Sequence, residues 1–507
     1  MTARKVGAII MDASIIKFFL VIAIVVIAGC MQKVKSGKQL AKTYCSNCHL
    51  FPEPSLLDKI TWKNNVLPAM GKLLGAQQLD LHPFEESDRI ISHQEFSISA
   101  EDWKQLVKYY TDEAPAKLPP QSRSPITNLT DWFIVEKKSI REFPTTTFLK
   151  IDPGNKWIYA AGRDSVLEIF DHRLNKVSNN FSSGILSDMF FTSDLKNPGD
   201  RKGVCTNIGI MDPNDLKTGS VSVFTIGSNG KLLAKNLFDT LARPVQTISS
   251  DLNADNVADY LLCNFGNKDG NFSWMQNIGN EQYIQKILEP LPGSIRAYVE
   301  DMDHDGLQDI IVLFSQANEG IRLYLNKGGG KFSRIELLRF PPVYGSTYFE
   351  MVDLNSDGNK DILYTCGDNA DYSNILKNYH GIYFFLNMGG YRFEKAYFFP
   401  MHGAFKAMAR DFNKDGKLDI AAISFFPDRK NQPQEAFVLL EGREGFEFLP
   451  HTIKEHSEGH WLTMDAADVD ADGDDDIVIG NLVLPNGIGN KKGERIPTFL
   501  LLRNNKN

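Results

Sequence analysis

The sequence predicts a multidomain chain: a small all-α unit followed by an all-β seven-bladed propeller. Three observations predict it. Residues 36–114 carry apolar side chains at helical spacing, an acidic nine-residue phrase then recurs five times, and every recurrence is followed by short strand-like runs. The net charge is −8 and no basic patch stands out, which argues against a nucleic-acid partner.

At the N-terminus, Arg4, Lys5 and Lys17 precede the apolar run Phe18 to Ala28, which exits through Gly29 to Cys30. A basic start, a short apolar core and a small-residue exit describe a secretory signal peptide over 1–29. A short membrane anchor is the alternative, but a spanning helix needs about twenty apolar residues. Starting at Met11 would give a signal of more ordinary length. The ending Ile27-Ala28-Gly29-Cys30 resembles the lipobox of bacterial lipoproteins. That resemblance implies cleavage before Cys30, lipidation of its thiol, and a protein exported and tethered to a membrane, facing periplasm or cell surface.

Residues 30–115 form the predicted α unit. Ser36 with Gln39 makes a capping box before Leu40 and Tyr44; Ser55 with Asp58 opens a second helix carrying Leu56, Ile60 and Leu67; Ser99 with Asp102 opens a third carrying Trp103, Leu106, Val107 and Tyr110. Between the first two lies Cys45-Ser46-Asn47-Cys48-His49. C-x-x-C-H is the attachment signature of haem c: two thiols bond the vinyl groups and the imidazole meets the iron. A redox dithiol does not need the His, and a zinc site needs a second ligand pair that is not evident nearby. The motif and helix order resemble monohaem cytochromes c over about eighty residues, and exported maturation agrees with the signal peptide. Met70 is the only methionine between the motif and Met189 and is the expected sixth ligand, at a spacing shorter than that family leads one to expect; His82, His93 or an open site are the alternatives. The remaining cysteines, Cys205, Cys263 and Cys366, are odd in number and widely spaced, and Cys263 and Cys366 lie in apolar runs, so buried free thiols are expected in place of a disulfide framework.

A proline-rich stretch at 116–125 reads as a stiff linker. Residues 126–507 then carry the repeat, whose copies start at 251, 301, 353, 411 and 468. Four short strands per period of about fifty residues describe a propeller blade. Five marked blades leave room for two more before 243, with degenerate turns at Asp152–Tyr159 and Asp194–Asp200. The last repeat stops after a third strand at Phe499–Asn504, so the spare run Asp131–Glu136 is expected to supply the fourth and close the ring.

Each acidic phrase reads as a calcium loop, with side chains at positions 1, 3 and 5 converging, a carbonyl at 7 and Asp at 9. The residues are Asp251, Asn253, Asp255 and Asp259; Asp301, Asp303, Asp305 and Asp309; Asp353, Asn355, Asp357 and Asp361; Asp411, Asn413, Asp415 and Asp419; and Asp468, Asp470, Asp472 and Asp476. Gly at position 6 permits a sharp turn, and Asn256 replaces it once. No Glu stands at position 12, which excludes EF-hands. The loops resemble those of FG-GAP or VCBS repeats, as in the integrin α-subunit propeller, and the resemblance implies up to five Ca²⁺. The segments entering each first strand carry Arg243, Arg296, Tyr344, His402, His460 and Trp461 and are expected to converge on the propeller axis, on the face opposite the acidic loops if the integrin likeness holds; Arg243, Arg296, His402 and His460 are the candidate ligand pocket.

These readings describe an exported, membrane-tethered c-type cytochrome acting in electron transfer, whose calcium-binding propeller docks a redox partner protein or a surface glycan. No G-x-S-x-G or HExxH motif supports a hydrolase. The alternatives are a propeller oxidoreductase passing substrate electrons to the haem, and a surface binding or adhesion module.

Overall fold

The computed structural model describes residues 35–76, 98–140, 143–192, 201–370, 375–483 and 496–506. The signal segment, Cys30, His82, His93 and the turn at Asp194–Asp200 lie outside the described residues. Among those described, no helix is long and apolar enough to cross a membrane.

Among the described residues the N-terminal part holds three α-helices of seven residues or more: α1 (Gly37–Cys45), α2 (Leu67–Leu73) and α3 (Ala100–Glu113). Ser36 and Gln39 cap α1 reciprocally, and Ser99 caps α3 through the Asp102 N–H. The expected second start at Ser55 is corrected. Ser55 sits in a 3-10 turn, Pro54–Leu56, and Asp58 is the true cap, accepting from Thr61 N at 2.8 Å. Residues Trp62–Val66 then widen into a π-turn before α2. Ile60, expected on the buried face, is consequently 66% exposed.

The helices share one core of Ala41, Leu57, Trp62, Val66, Trp103, Leu106 and Tyr110. Trp62 and Tyr110 pack with ring centres 4.5 Å apart, tilted by 43°, and each donates its polar tip to a backbone carbonyl, Pro54 and Pro52 respectively. Two glycines permit the close crossings. A Cβ at Gly37 would lie 2.5 Å from Gln105 O on α3, and one at Gly71 would lie 2.8 Å from the Trp103 ring. Val343 and Ile375 of the β region pack against this same core, and Tyr379 Oη donates to Leu56 O at 3.2 Å. The helical segment is therefore seated on the sheets.

The remainder is a seven-bladed β-propeller. Blades 1 to 7 begin with the strands Thr146–Asp152, Ile185–Thr192, Pro244–Ser250, Ser294–Glu300, Ser346–Val352, Ala404–Arg410 and Trp461–Ala467. Blades 1 to 5 are antiparallel four-stranded meanders, and blade 6 adds a short parallel strand, Asn128–Leu129, at its rim. Blade 7 contains three strands from the C-terminus and takes Phe133–Lys138 as its fourth, paired antiparallel with Phe499–Asn504. The first and last strands of the propeller region thus meet in one sheet, and Phe133 is locked edge-on against Phe412 of the neighbouring blade.

A repeat rule governs the inner strands. In every blade the pairing of the first strand with the second slips by one residue, after Thr146, Leu186, Pro244, Ser294, Ser346, Ala404 and Trp461. The exposed inner edge of each sheet carries unpaired backbone groups, and the preceding blade satisfies one of them at every interface. Thr147 Oγ1 donates to Leu186 O (3.2 Å) and Ser187 Oγ to Pro244 O (3.2 Å). Gln246 accepts from Ala297 N (2.7 Å), and Tyr298 Oη donates to Phe349 O (3.3 Å). Glu350 accepts from Ala409 N (2.9 Å), Lys406 Nζ donates to Met464 O (2.6 Å), and Asp465 accepts from Ile151 N (2.9 Å). Seven such bonds complete a circuit round the axis.

Candidate functional site

Each acidic loop joins the first and second strands of its blade. In the copies starting at 251, 301, 353 and 411, the first Asp accepts from the N–H of position 5 at 3.0–3.2 Å and of position 6 at 2.8–2.9 Å. Position 6 has positive φ in all five, with Asn256 at 64° taking the conformation that Gly supplies elsewhere. Position 4 is left-handed as well, at Ala254, His304, Ser356, Lys414 and Ala471, which the residue types did not signal.

The ninth Asp closes the loop through hydrogen bonds. Asp259, Asp309, Asp361, Asp419 and Asp476 are fully buried. One oxygen of each accepts the N–H of position 2, at 2.9–3.3 Å. The other accepts an N–H at or just beyond the end of the third strand, at 2.7–2.8 Å. Burial pushes all five carboxyls up, Asp419 and Asp476 to about 7.

The copies then divide by chemistry. Where position 3 is Asn, its amide donates to the Asp at position 5: Asn253 to Asp255 (2.9 Å), Asn355 to Asp357 (2.9 Å) and Asn413 to Asp415 (3.3 Å). Where position 3 is Asp, no such donor exists. There the oxygens of Asp301, Asp303 and Asp309, and of Asp468, Asp470 and Asp476, lie within 4.8 Å of one another, a donor set that fits a hard cation. The 468 copy also draws protein cations: Lys156 Nζ lies 3.1 Å from Asp468 and Arg503 Nη1 lies 2.5 Å from Asp470. In blade 1 the degenerate turn goes further, and Arg201 grips Asp152 bidentately at 2.6 and 2.7 Å.

At the C-x-x-C-H motif, Cys45 ends α1, half-buried beside Tyr110, and burial raises its thiol to about 11. Cys48 is exposed, and neither is in a disulfide. His49 Nδ1 lies 2.9 Å from Leu50 O. A carbonyl only accepts, so Nδ1 carries the proton and the Nε2 lone pair is left for another ligand. Two unbridged thiols, a ring oriented in this way and an apolar core behind them fit a covalently held haem. Met70, on α2, packs partly buried against the same core.

The four pocket candidates are not brought together. Arg243 is buried and donates to Met211 O at 2.6 Å and to Gly266 O. His402 lies buried beside Glu435, which pairs with Arg123 of the linker, and burial lowers its imidazole to about 4. His460 stacks edge-on with Phe425, Trp461 is buried with Nε1 on His456 O, and Tyr344 stacks on Tyr379 beside the helices. Only Arg296 faces the axis. Its neighbours there are residues that sequence reasoning missed: Tyr348 and Lys406 in the same repeat position, with Asp188, and Lys150 and Asp465 two residues on. Aligning the blades from the first residue of each inner strand is the signal that finds them.

The FG-GAP-like repeat family matches residues 301–364 and 411–479, which hold four acidic loops and leave out the 251 copy. Among solved structures the chain is similar to the Dos1 propeller, at 9% identity and a TM-score of 0.42 over 71% of this chain and 77% of that one. It is likewise similar to Saccharomyces cerevisiae Sqt1, at 9% identity and a TM-score of 0.44 over 76% of this chain and 100% of that one. A search of curated proteins finds no match. The chain is a seven-bladed β-propeller carrying FG-GAP-like repeats, an architecture consistent with a binding module.

Proposed function

We propose that this protein is an exported, lipid-tethered c-type cytochrome whose propeller binds calcium and docks a redox partner protein or a surface glycan. The observation that carries the reading is the C-x-x-C-H motif with His49 held through Nδ1. A haem bound there would supply a one-electron couple. Cys45 and Cys48 would anchor it, His49 would ligate it, and Trp62, Leu106 and Tyr110 would keep water from its inner side. Met70 is the proposed sixth ligand. The helical segment rests on the propeller through Val343, Ile375 and Tyr379, so a partner docked on the blades would meet the redox group at a fixed distance. Calcium is proposed for the five loops, held most fully where three carboxylates converge, at 301 and 468.

The test is a visible spectrum, oxidised and reduced, of protein exported with cytochrome c maturation machinery. A sharp reduced α-band is expected, lost in the Cys45→Ala/Cys48→Ala variant, with a far-red thioether band lost in Met70→Ala. Absence of any haem band would overturn the cytochrome reading. The oxidoreductase alternative draws on the charged channel around Arg296, and substrate-dependent reduction of the haem in the purified protein alone would favour it.

A further inference from the structure

We propose that the axial channel of the propeller is a binding site for a small carboxylate, gripped by Arg296 together with Lys406 and Tyr348. The proposal is independent of the haem and calcium readings.

The geometry begins with the repeated register slip, which brings Asp188, Arg296, Tyr348 and Lys406 to the same position of the inner strands of blades 2, 4, 5 and 6. Arg296 lies 4.6 Å from the Tyr348 ring centre and 5.1 Å from that of Tyr298, and its Nε donates to Tyr298 Oη at 3.0 Å. The two terminal nitrogens of the guanidinium bond to no described residue, and no described carboxylate lies within 4.0 Å of it. Lys406 Nζ sits 5.0 Å from the same Tyr348 ring and donates once, to Met464 O, which leaves two of its three donors unused. Inner strands surround these side chains, yet Arg296, Lys406 and Asp188 stay partly accessible and Lys150 keeps 31% of its side-chain surface. The space they share is therefore the channel.

Charge points to the class of ligand. Lys150, Arg296 and Lys406 face Asp188 and Asp465, while Glu350 is taken by Arg410 at 2.7 Å. Arg410 also approaches Asp475 at 3.7 Å, so the imbalance is local: around Arg296 itself three cations face two carboxylates. Burial pushes Lys406 down to about 8; Asp465 resists this, while Arg296 and Lys150 add to it. An anion between Arg296 and Lys406 would relieve that repulsion, and a planar carboxylate matches the two free nitrogens of the guanidinium fork.

The test uses the full chain and carbon-13-labelled acetate, with acetamide as the uncharged control, and follows acetate line broadening against concentration. Saturable acetate binding is expected, with none for acetamide. Arg296→Gln and Lys406→Met should each weaken it about tenfold or more, the loss of one charged hydrogen bond. Arg296→Lys keeps the charge without the fork and should fall between; Arg243→Gln, away from the axis, should change nothing. Should Arg296→Gln fail to fold, Lys406→Met and Arg296→Lys decide alone. Equal binding of acetamide, no saturation, or acetate affinity unchanged in the folded variants would overturn the proposal.

Discussion

Asp419→Ala isolates the contribution of the buried ninth aspartate from that of any cation. Its two oxygens accept from Phe412 N at 3.0 Å and Gly442 N at 2.8 Å, and both bonds are buried. Alanine leaves two orphaned N–H groups, each costing about 1–3 kcal/mol. Part is recovered, because a carboxyl that burial holds at about 7 is no longer desolvated. The expected net loss is about 2–4 kcal/mol. Equilibrium urea unfolding in excess EDTA measures it with no cation present in either protein. Asp415→Ala in the same loop is the control, since that side chain is 37% exposed and accepts from Lys417 N at the surface. It should cost no more than about 1 kcal/mol. If the two variants lose equal stability in EDTA, the ninth aspartate is not a hydrogen-bonded staple and the account of the loops fails.

Adding EDTA to the wild-type chain should lower its melting temperature, and Asp301→Asn and Asp468→Asn should shrink that drop more than Asp251→Asn does; an unchanged melting temperature would remove calcium from the description. Phe133→Ala should cost about 3–5 kcal/mol in urea unfolding, because it hollows the seam that closes the ring of blades, and a loss below about 1 would mean the ring closes without that strand. Burial pushes Glu319 from its ordinary 4.5 to about 7, where it accepts from Ser346 and Gly345. Its folded value exceeds its unfolded one, so the stability it contributes is full below about 4.5 and is lost as pH rises to about 7. Glu319→Gln should flatten that slope, read from urea midpoints between pH 4 and 8, by at most about 3 kcal/mol; an unaltered slope would place the titration elsewhere.

The blade count, the closing strand and the capped starts of α1 and α3 were legible because local patterns dictate them. An acidic phrase at a fixed period marks each turn between first and second strands, and a missing fourth strand at one end calls for a spare one at the other. The helix predicted from Ser55 failed locally: Pro54 and Ser55 take a tight turn, and the stronger Asp58 cap wins three residues later. The left-handed residues at position 4 share no residue type that would mark them, since Ala and Lys carry no preference for such a turn, and the Asx hydrogen bonds around them hold them there.

The pocket candidates show where such reading stops. Arg243, His402 and His460 precede the first strands of their blades, whereas Arg296 lies two residues inside its own, just past the one-residue slip, and reaches the axis as Lys406 does in blade 6. By itself the sequence determined the repeat, the turn chemistry and the C-x-x-C-H motif, all of which depend on residues within a few positions of one another. Tertiary structure alone decided the axial cluster, the inter-blade circuit and the seat of the helices on Val343 and Ile375. Those unite residues far apart in the chain, and their contacts exist only once seven sheets have closed around one axis.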